Sequence, residues 1–412
     1  IFRGEKTMIS KKKAFIGAII LVLMTTVVNF TVGNIIALPL GQKVLISRST
    51  YQHYENLNQR YGKLFTLNDF LINNYYKELD EDNLIEYAIG GLFQGVEDPY
   101  TAYLTEKEFS DLMVRNQGSY GGIGVIITPG DDGLVTVVSP IEKTPGERAG
   151  IVTGDKILAV DGEVVTGEKL DYAADKMKGD PGTEVILSVL RESIKEPFDI
   201  ILKREEIRLE TVRSEVLEND IAYIRITMFD EKTAKDFKEN IDSIQRENIK
   251  GLILDLRNNP GGLMDQCVEI ADMLLGEQII VYTEDRHGER EVENSDKKQI
   301  SLPLTVLVNE GSASASEILA GAIKDGKRGK IIGTTTFGKG LVQQVKPLND
   351  GTGFKFTVSQ YFTPNGTNIH GKGIEPDIII DLPEEIKNEI DIEMSEDTQL
   401  QKAIEILNDS IL

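Results

Sequence analysis

The sequence predicts a multidomain α+β protein, and three observations carry that prediction. At 412 residues the chain is too long for one ordinary domain. Its apolar content, 40%, suffices for several cores. Its periodicity also changes twice: helical from Gln42 to about Gln117, short strands between turn residues from Gly118 to about Arg204, then alternating strands and helices to Asp381. The expected boundaries are therefore 1–43, 44–117, 118–204, 205–381 and 382–412. A net charge of −22 excludes nucleic acid as a partner, because phosphate binding needs clustered Lys and Arg. The single cysteine, Cys267, excludes an internal disulfide framework; on an amphipathic helix it reads as packing.

In the first segment, Lys11-Lys12-Lys13 precede an uncharged run from Ala14 to Gln42. About 20 apolar residues cross a bilayer, and flanking lysines stay on the cytoplasmic side. The expectation is a transmembrane signal-anchor with a cytoplasmic N-terminal tip, placing the rest of the chain outside the cell membrane as a single-pass protein. The rival, a cleaved signal peptide, finds no small-x-small site in Asn34–Leu40. Residues Ile1–Thr7 read as sequence upstream of a start at Met8.

The second segment shows helical spacing in Leu64, Leu67, Phe70, Leu71 and Tyr75, and again in Leu84, Ile85, Ala88, Ile89 and Leu92. The segment Asp98-Pro99-Tyr100-Thr101-Ala102-Tyr103-Leu104 breaks it as a turn, its tyrosines read as packing of a helical arm rather than as substrate contacts. The third segment predicts strands at Ile123–Thr128, Leu134–Val138, Lys156–Val160 and Val185–Leu190, with one helix at Lys169–Lys178. Its glycine run, Gly121-Gly122-Ile123-Gly124-Val125, lets backbone approach backbone. Together with Gly150-Ile-Val-Thr-Gly-Asp-Lys-Ile-Leu-Ala-Val-Asp-Gly162 it resembles a PDZ domain. That resemblance implies a loop of amides, Gly121 to Val125, that holds a peptide's terminal carboxylate while the peptide adds as a strand. Lys178, in Lys178-Gly-Asp-Pro-Gly-Thr183, stands where related proteases usually carry an arginine implicated in coupling such a domain to an active site.

The fourth segment contains the chemistry. Lys250–Arg257 reads as a buried strand ending in Asn258-Asn259-Pro260-Gly261-Gly262, followed by a helix at Met264–Leu275. Leu302–Val308 is a second strand, Gly311–Ala315 a turn and Ser316–Lys324 a helix. Reactive groups in α/β layers gather at such strand ends. Ser312, Ser314 and Ser316 all lie there, and none of His53, His287 or His370 sits in a serine motif. A serine needs a base, and a lysine serves once a dry pocket lowers its pKa. Lys339, in Gly338-Lys339-Gly340, is that candidate, with Gln343 two alternations along the following strand and placed to hold the amine. Spacing does not choose among the serines, and Ser314-Ala-Ser-Glu317 also matches a helix capping box.

Four motifs then resemble the carboxyl-terminal processing proteases, peptidase family S41: Asp255–Gly262, Ser312–Ile318, Thr336–Gln343 and Gly371–Asp377. The resemblance runs from roughly Asp82 to the end of the chain and implies an α/β serine protease domain on the ClpP/crotonase-like plan. It makes Ser314 the nucleophile, Lys339 the general base and Gln343 the residue orienting it. The amide of Ala315 and one from Gly261 or Gly262 would form the oxyanion hole. It implies a serine endopeptidase that needs no metal or cofactor, acts on proteins with free apolar C-termini and cleaves upstream of the captured end. The acidic tail, with Leu400, Ala403, Ile404 and Leu407 on one helical face, either builds a homodimer with the N-terminal helices or packs on its own domain. The rival readings are a membrane-anchored PDZ scaffold without activity and a crotonase- or Clp-like hydrolase.

Overall fold

The structure is a computed structural model that describes residues 10–34, 37–40, 43–244, 248–387 and 392–411; the reading of Met8 as a start lies outside them. The chain divides into two compact units, 1–91 and 92–412. The first holds helix α1 (Lys11–Asn34), a hairpin of β1 (Ala37–Leu40) and β2 (Lys43–Ile46), helix α2 (Arg48–Asn74) and most of α3 (Glu81–Gln94). Ser47 caps α2, its hydroxyl accepting from the Thr50 N–H at 3.1 Å. Among the described residues no helix is long and apolar enough to cross a membrane, so the expected anchor is not borne out there. The helix α1 does form: it opens on three lysines, and within it Thr25 and Thr26 fold their hydroxyls back on the Leu21 and Val22 carbonyls.

The second unit is built on a six-stranded sheet. Its strands are β12 (Val212–Leu217), β13 (Ile221–Ile226), β14 (Gly251–Asp255), β17 (Leu304–Val308), β18 (Lys330–Gly333) and β21 (Ile378–Ile379), all parallel except β12. The central strands read as continuous apolar runs because both faces are covered. Leu252, Leu254, Val306 and Val308 pack with α8 (Met264–Leu274) and α9 (Ala315–Asp325). The alternating residues Ile253, Leu307 and Ile332 pack instead under Leu400, Ala403 and Leu407 of α10 (Thr398–Ile411). The tail's apolar face is thus covered by its own sheet. Cys267 lies buried in the first of these cores, where burial pushes its thiol pKa up, in keeping with a packing role.

A second sheet, ordered β16 (Arg290–Asn294), β15 (Ile279–Asp285), β20 (Gly353–Phe362) and β19 (Leu341–Pro347), carries the short strand β3 (Ala102–Leu104) on β20. The segment after Asp98, expected to pack a helical arm, is therefore part of this sheet. Helix α4 (Glu106–Gln117) leads into β4 (Ser119–Gly122), which among the described residues pairs only with β11 (Glu205–Arg208). Between these two strands is a separate sheet of β5 (Val125–Pro129), β6 (Val135–Pro140), β7 (Lys156–Val160), β8 (Glu163–Val164), β9 (Glu184–Leu190) and β10 (Phe198–Lys203), with α6 (Leu170–Met177) and its own core around Ile157, Leu187 and Val189.

A buried ion cluster fixes the ends of the central strands. Arg257 donates through Nη2 to Asp255 Oδ2 at 2.7 Å and through Nη1 to Asp397 Oδ1 and Gln399 Oε1, both at 3.0 Å. Burial alone would raise the Asp255 carboxyl, but Arg257 outweighs it and holds it below its ordinary value. This contribution is present above the unfolded carboxyl pKa of about 3.9 and is lost as pH falls through the lower folded value. Arg257→Met leaves a buried carboxylate unpaired and is expected to cost about 3–5 kcal/mol in urea unfolding.

Candidate active site

The three serines occupy different surroundings. Ser312 donates to the Leu256 carbonyl at 2.8 Å and Ser316 to the Asn259 carbonyl at 3.0 Å, and both are fully buried. Their hydroxyls tie the turn to the neighbouring Asp255–Gly262 loop. Ser314 instead lines a cavity of about 260 Å³, together with Lys339, Gln343, Tyr100, Lys355 and Gly262. None of the three histidines lines it. Glu317 accepts from the Ser314 N–H, one half of the capping box that the spacing allows, but the Ser314 hydroxyl makes no capping bond, and Ser314 has φ 54° and ψ −116°. An ordinary helix cap is extended, and a non-glycine residue held at such an angle is strained, a condition that clusters at functional sites.

The lysine arrives from the loop between β18 and β19. Gly338 has φ 88°, and a Cβ there would sit 2.9 Å from the amides of Lys372 and Gly373. The Gly371–Asp377 motif is thus the support behind the lysine loop, with Gly371 N–H donating to the Gly338 carbonyl at 2.9 Å. Glu317 joins this loop to the serine turn. Its fully buried carboxylate accepts from Ser314 N–H at 2.9 Å, Lys339 N–H at 2.8 Å, Gly338 N–H at 2.7 Å and Thr336 Oγ1 at 2.6 Å. The buried Tyr361 hydroxyl makes a second bridge, between the carbonyls of Ser314, at 3.1 Å, and Lys339.

Burial is the largest influence on the Lys339 amine and lowers its pKa; the Lys355 charge lowers it further, while Asp98 and Glu317 oppose both. The amine lies over the Tyr100 ring, 4.8 Å from its centroid. Among the described residues it makes no hydrogen bond to Ser314 or to Gln343. Gln343, expected to hold the amine, donates through Nε2 to Thr357 Oγ1 at 3.5 Å. Strand alternation does not place it as expected, because Lys339 precedes β19 and a register shift falls between Val342 and Gln343.

Two residues that line the same cavity have amides without an acceptor among the described residues. Ala315 opens α9, so its N–H has no partner within the helix. Gly261 N–H donates to Asn259 Oδ1 at 2.9 Å and does not line the cavity, whereas Gly262 does line it and its amide donates to no acceptor among the described residues. Gly261 must be glycine for another reason: a Cβ there would sit 2.7 Å from Ser314 Cβ.

Comparison with known proteins gives the family of the chain. The sequence model of peptidase family S41 matches residues 220–380, a PDZ domain model matches 136–191, and the N-terminal domain of the activating protease CtpB matches 40–108. A carboxy-terminal-processing protease of Bartonella bacilliformis is 40% identical over 80% of this chain and 76% of its own length. The chain belongs to peptidase family S41, the carboxy-terminal processing serine proteases. Carboxy-terminal processing protease CtpA of Bacillus subtilis is 37% identical over 91% of this protease and 78% of that protein. A solved photosystem II D1 C-terminal processing protease is 31% identical, covering 81% of this chain and 93% of its own, with a TM-score of 0.46.

The PDZ segment of the protease has a groove of about 50 Å³ between β5 and α6, lined by Gly122, Ile123, Gly124, Val125, Met177 and Lys178, among others. The amides of Ile123 and Gly124 donate to no acceptor among the described residues. Gly121 departs from expectation and does not line the groove. It meets the Gly179 carbonyl, which a Cβ at 121 would approach to 2.1 Å. The Lys178 amine lies 5.8 Å from the Tyr120 ring centroid. The nearby buried Arg204 donates to the carbonyls of Met177 at 3.1 Å, and of Lys176 and Glu184 at 2.8 Å each. Sequence reasoning missed Arg204, and it read Glu317 only as a capping residue and Tyr100 only as packing. The Ser-x-x-Glu spacing was the available signal for Glu317.

Replacing Glu317 by Gln puts an amide NH₂ among four donors. The expected result is a loss of about 1–3 kcal/mol of stability, read by denaturant unfolding, together with reduced peptide cleavage.

Proposed function

We propose that the chain is an endoprotease using a Ser314/Lys339 dyad, on substrates whose free apolar C-termini the PDZ segment captures. The observation that carries this reading is that Ser314 and Lys339 line one cavity in which burial disfavours the lysine's charge. The neutral amine takes the Ser314 proton, and the oxygen attacks a peptide carbonyl. The Ala315 and Gly262 amides hold the resulting oxyanion. The lysine ammonium then protonates the leaving amine, and water, deprotonated by the same amine, releases the acyl group. In the structure the amine rests on Tyr100, so it must turn to Ser314 before the proton moves. Such contacts commonly tighten only with substrate bound. On this reading Gln343 supports the lysine.

The PDZ reading rests on the unpartnered Ile123 and Gly124 amides beside an apolar groove, donors suited to a terminal carboxylate. The location reading rests on Lys11–Lys13 and the uncharged run after them: a membrane-attached protein, N-terminus inside and protease outside. Alkaline extraction and external proteolysis of cells test it. No side chain of α2 is buried, which supports its use in a homodimer, tested by light scattering.

The deciding experiment is cleavage of an unfolded protein with an apolar C-terminus, with Ser314→Ala and Lys339→Ala as controls. Both variants are expected to lose activity by at least about 10³-fold. Activity of the parent should be absent at low pH and rise as Lys339 deprotonates, with its midpoint below the ordinary lysine value of 10.5. An inert parent would favour the scaffold reading. A substrate with an amidated C-terminus should be cut more slowly than its free-acid twin; equal rates would overturn capture by the PDZ segment.

A further inference from the structure

Asp98 lies far from the protease motifs in sequence, yet it is hydrogen-bonded to Tyr100, which lines the cavity. Its carboxylate accepts from Thr101 Oγ1 and Thr357 Oγ1, each at 2.6 Å, and from the Tyr100 N–H at 3.0 Å. The Thr101 hydroxyl in turn accepts from the Thr357 N–H at 3.1 Å. The polarity of this chain is forced. An ionised carboxylate only accepts, so each threonine gives it its one hydroxyl hydrogen. Thr357 Oγ1 is then left with lone pairs alone for its next neighbour, which is Gln343 Nε2 at 3.5 Å. An amide that turns its NH₂ towards Thr357 presents its oxygen on the other side. In Gln343, which lines the cavity with Lys339, that oxygen is the group able to accept from the lysine amine.

We propose that Asp98, acting through Thr357, is a positioning residue that sets the amide of Gln343 with its oxygen towards Lys339. The inference rests on the reading of Lys339 as the general base. Without the relay, the two ends of the Gln343 amide are nearly equivalent in shape, and the NH₂ can face the lysine as easily as the oxygen. An NH₂ facing the amine repels its hydrogens and leaves it without a guide to Ser314. The same segment places Tyr100 under the amine, so residues 98–101 contribute both the resting seat of the lysine and the polarity of its support.

The charged and titratable groups around the Lys339 amine are Tyr100, beneath it, and Asp98, Glu317 and Lys355, while His370 acts on Asp98. Burial would raise the Asp98 carboxyl, but its hydrogen bonds from Thr101, Thr357 and Tyr100, with His370, hold it below the ordinary value and therefore ionised at neutral pH. Removing its charge removes an influence that raises the Lys339 pKa.

The test measures kcat, KM and the pH profile of peptide cleavage for Thr357→Val, Thr357→Ser, Asp98→Asn and Lys339→Ala, with thermal unfolding alongside. Thr357→Val keeps the shape but removes both the donor to Asp98 and the acceptor for Gln343; kcat should fall about tenfold with KM unchanged. Thr357→Ser should restore it. Asp98→Asn should lower kcat and move the rising limb to lower pH. Parent-like kcat in Thr357→Val, or a loss in Thr357→Ser as deep as in Thr357→Val, overturns the relay. If that happens while Lys339→Ala is dead, the relay alone has failed. An active Lys339→Ala overturns the dyad and the relay with it.

Discussion

The carboxylate of Glu317 is the fastening on which the site depends. It is removed from water and satisfied by four donors, two from the loop backbone at Gly338 and Lys339, one from Thr336 and one from the Ser314 amide. A buried charge with no partner is costly, so the fold in which all four donors converge is strongly preferred. That convergence brings a turn after one strand and a loop after the next into register. It also holds Ser314 in a backbone angle that a free chain would avoid.

Around this fastening the neighbouring loop supplies matching parts. The hydroxyls of Ser312 and Ser316 bind the carbonyls of Leu256 and Asn259, and Asn259 in turn bonds the Ile226 carbonyl and the Gly261 amide. Gly262, which lines the cavity, is left with an amide that donates to no acceptor among the described residues. The Asp255–Arg257–Asp397 cluster anchors the start of this loop and reaches α10, so the C-terminal helix steadies the strand ends from the opposite face of the sheet. Tyr361, on the second sheet, joins the backbone carbonyls of Ser314 and Lys339 through its hydroxyl.

The PDZ segment joins this apparatus through a narrow connection. The strands entering and leaving it, β4 and β11, pair with each other and with no other strand among the described residues. Lys232 holds this ribbon to the protease side, donating to Ser119 Oγ at 3.2 Å and to Glu206 Oε1 at 2.5 Å. The groove of the PDZ segment begins on β4 itself, at Tyr120 and Gly122.

Much of this was legible in the chain itself, because its signals are local. The apolar runs at Leu252–Leu254 and Leu304–Val308 announce strands covered on both faces, and the glycines at 261, 262 and 338 announce close backbone approaches. The Ser and Lys motifs, with no histidine beside them, point to one chemistry. Other features depended on groups distant in sequence, and only the tertiary structure decided them. Which of three serines faces the cavity is set by the carbonyls that the other two find on a loop more than fifty residues away. The partner that Gln343 finds, Thr357 Oγ1, lies across a register shift on the neighbouring strand and is itself bonded to Asp98, far upstream. The use of Glu317 as a fastening, rather than only a cap, depends on a loop that reaches it from twenty residues downstream. Periodicity records what each residue does within its own turn or strand, whereas hydrogen-bond satisfaction in a buried site is decided by whichever segments the fold brings together.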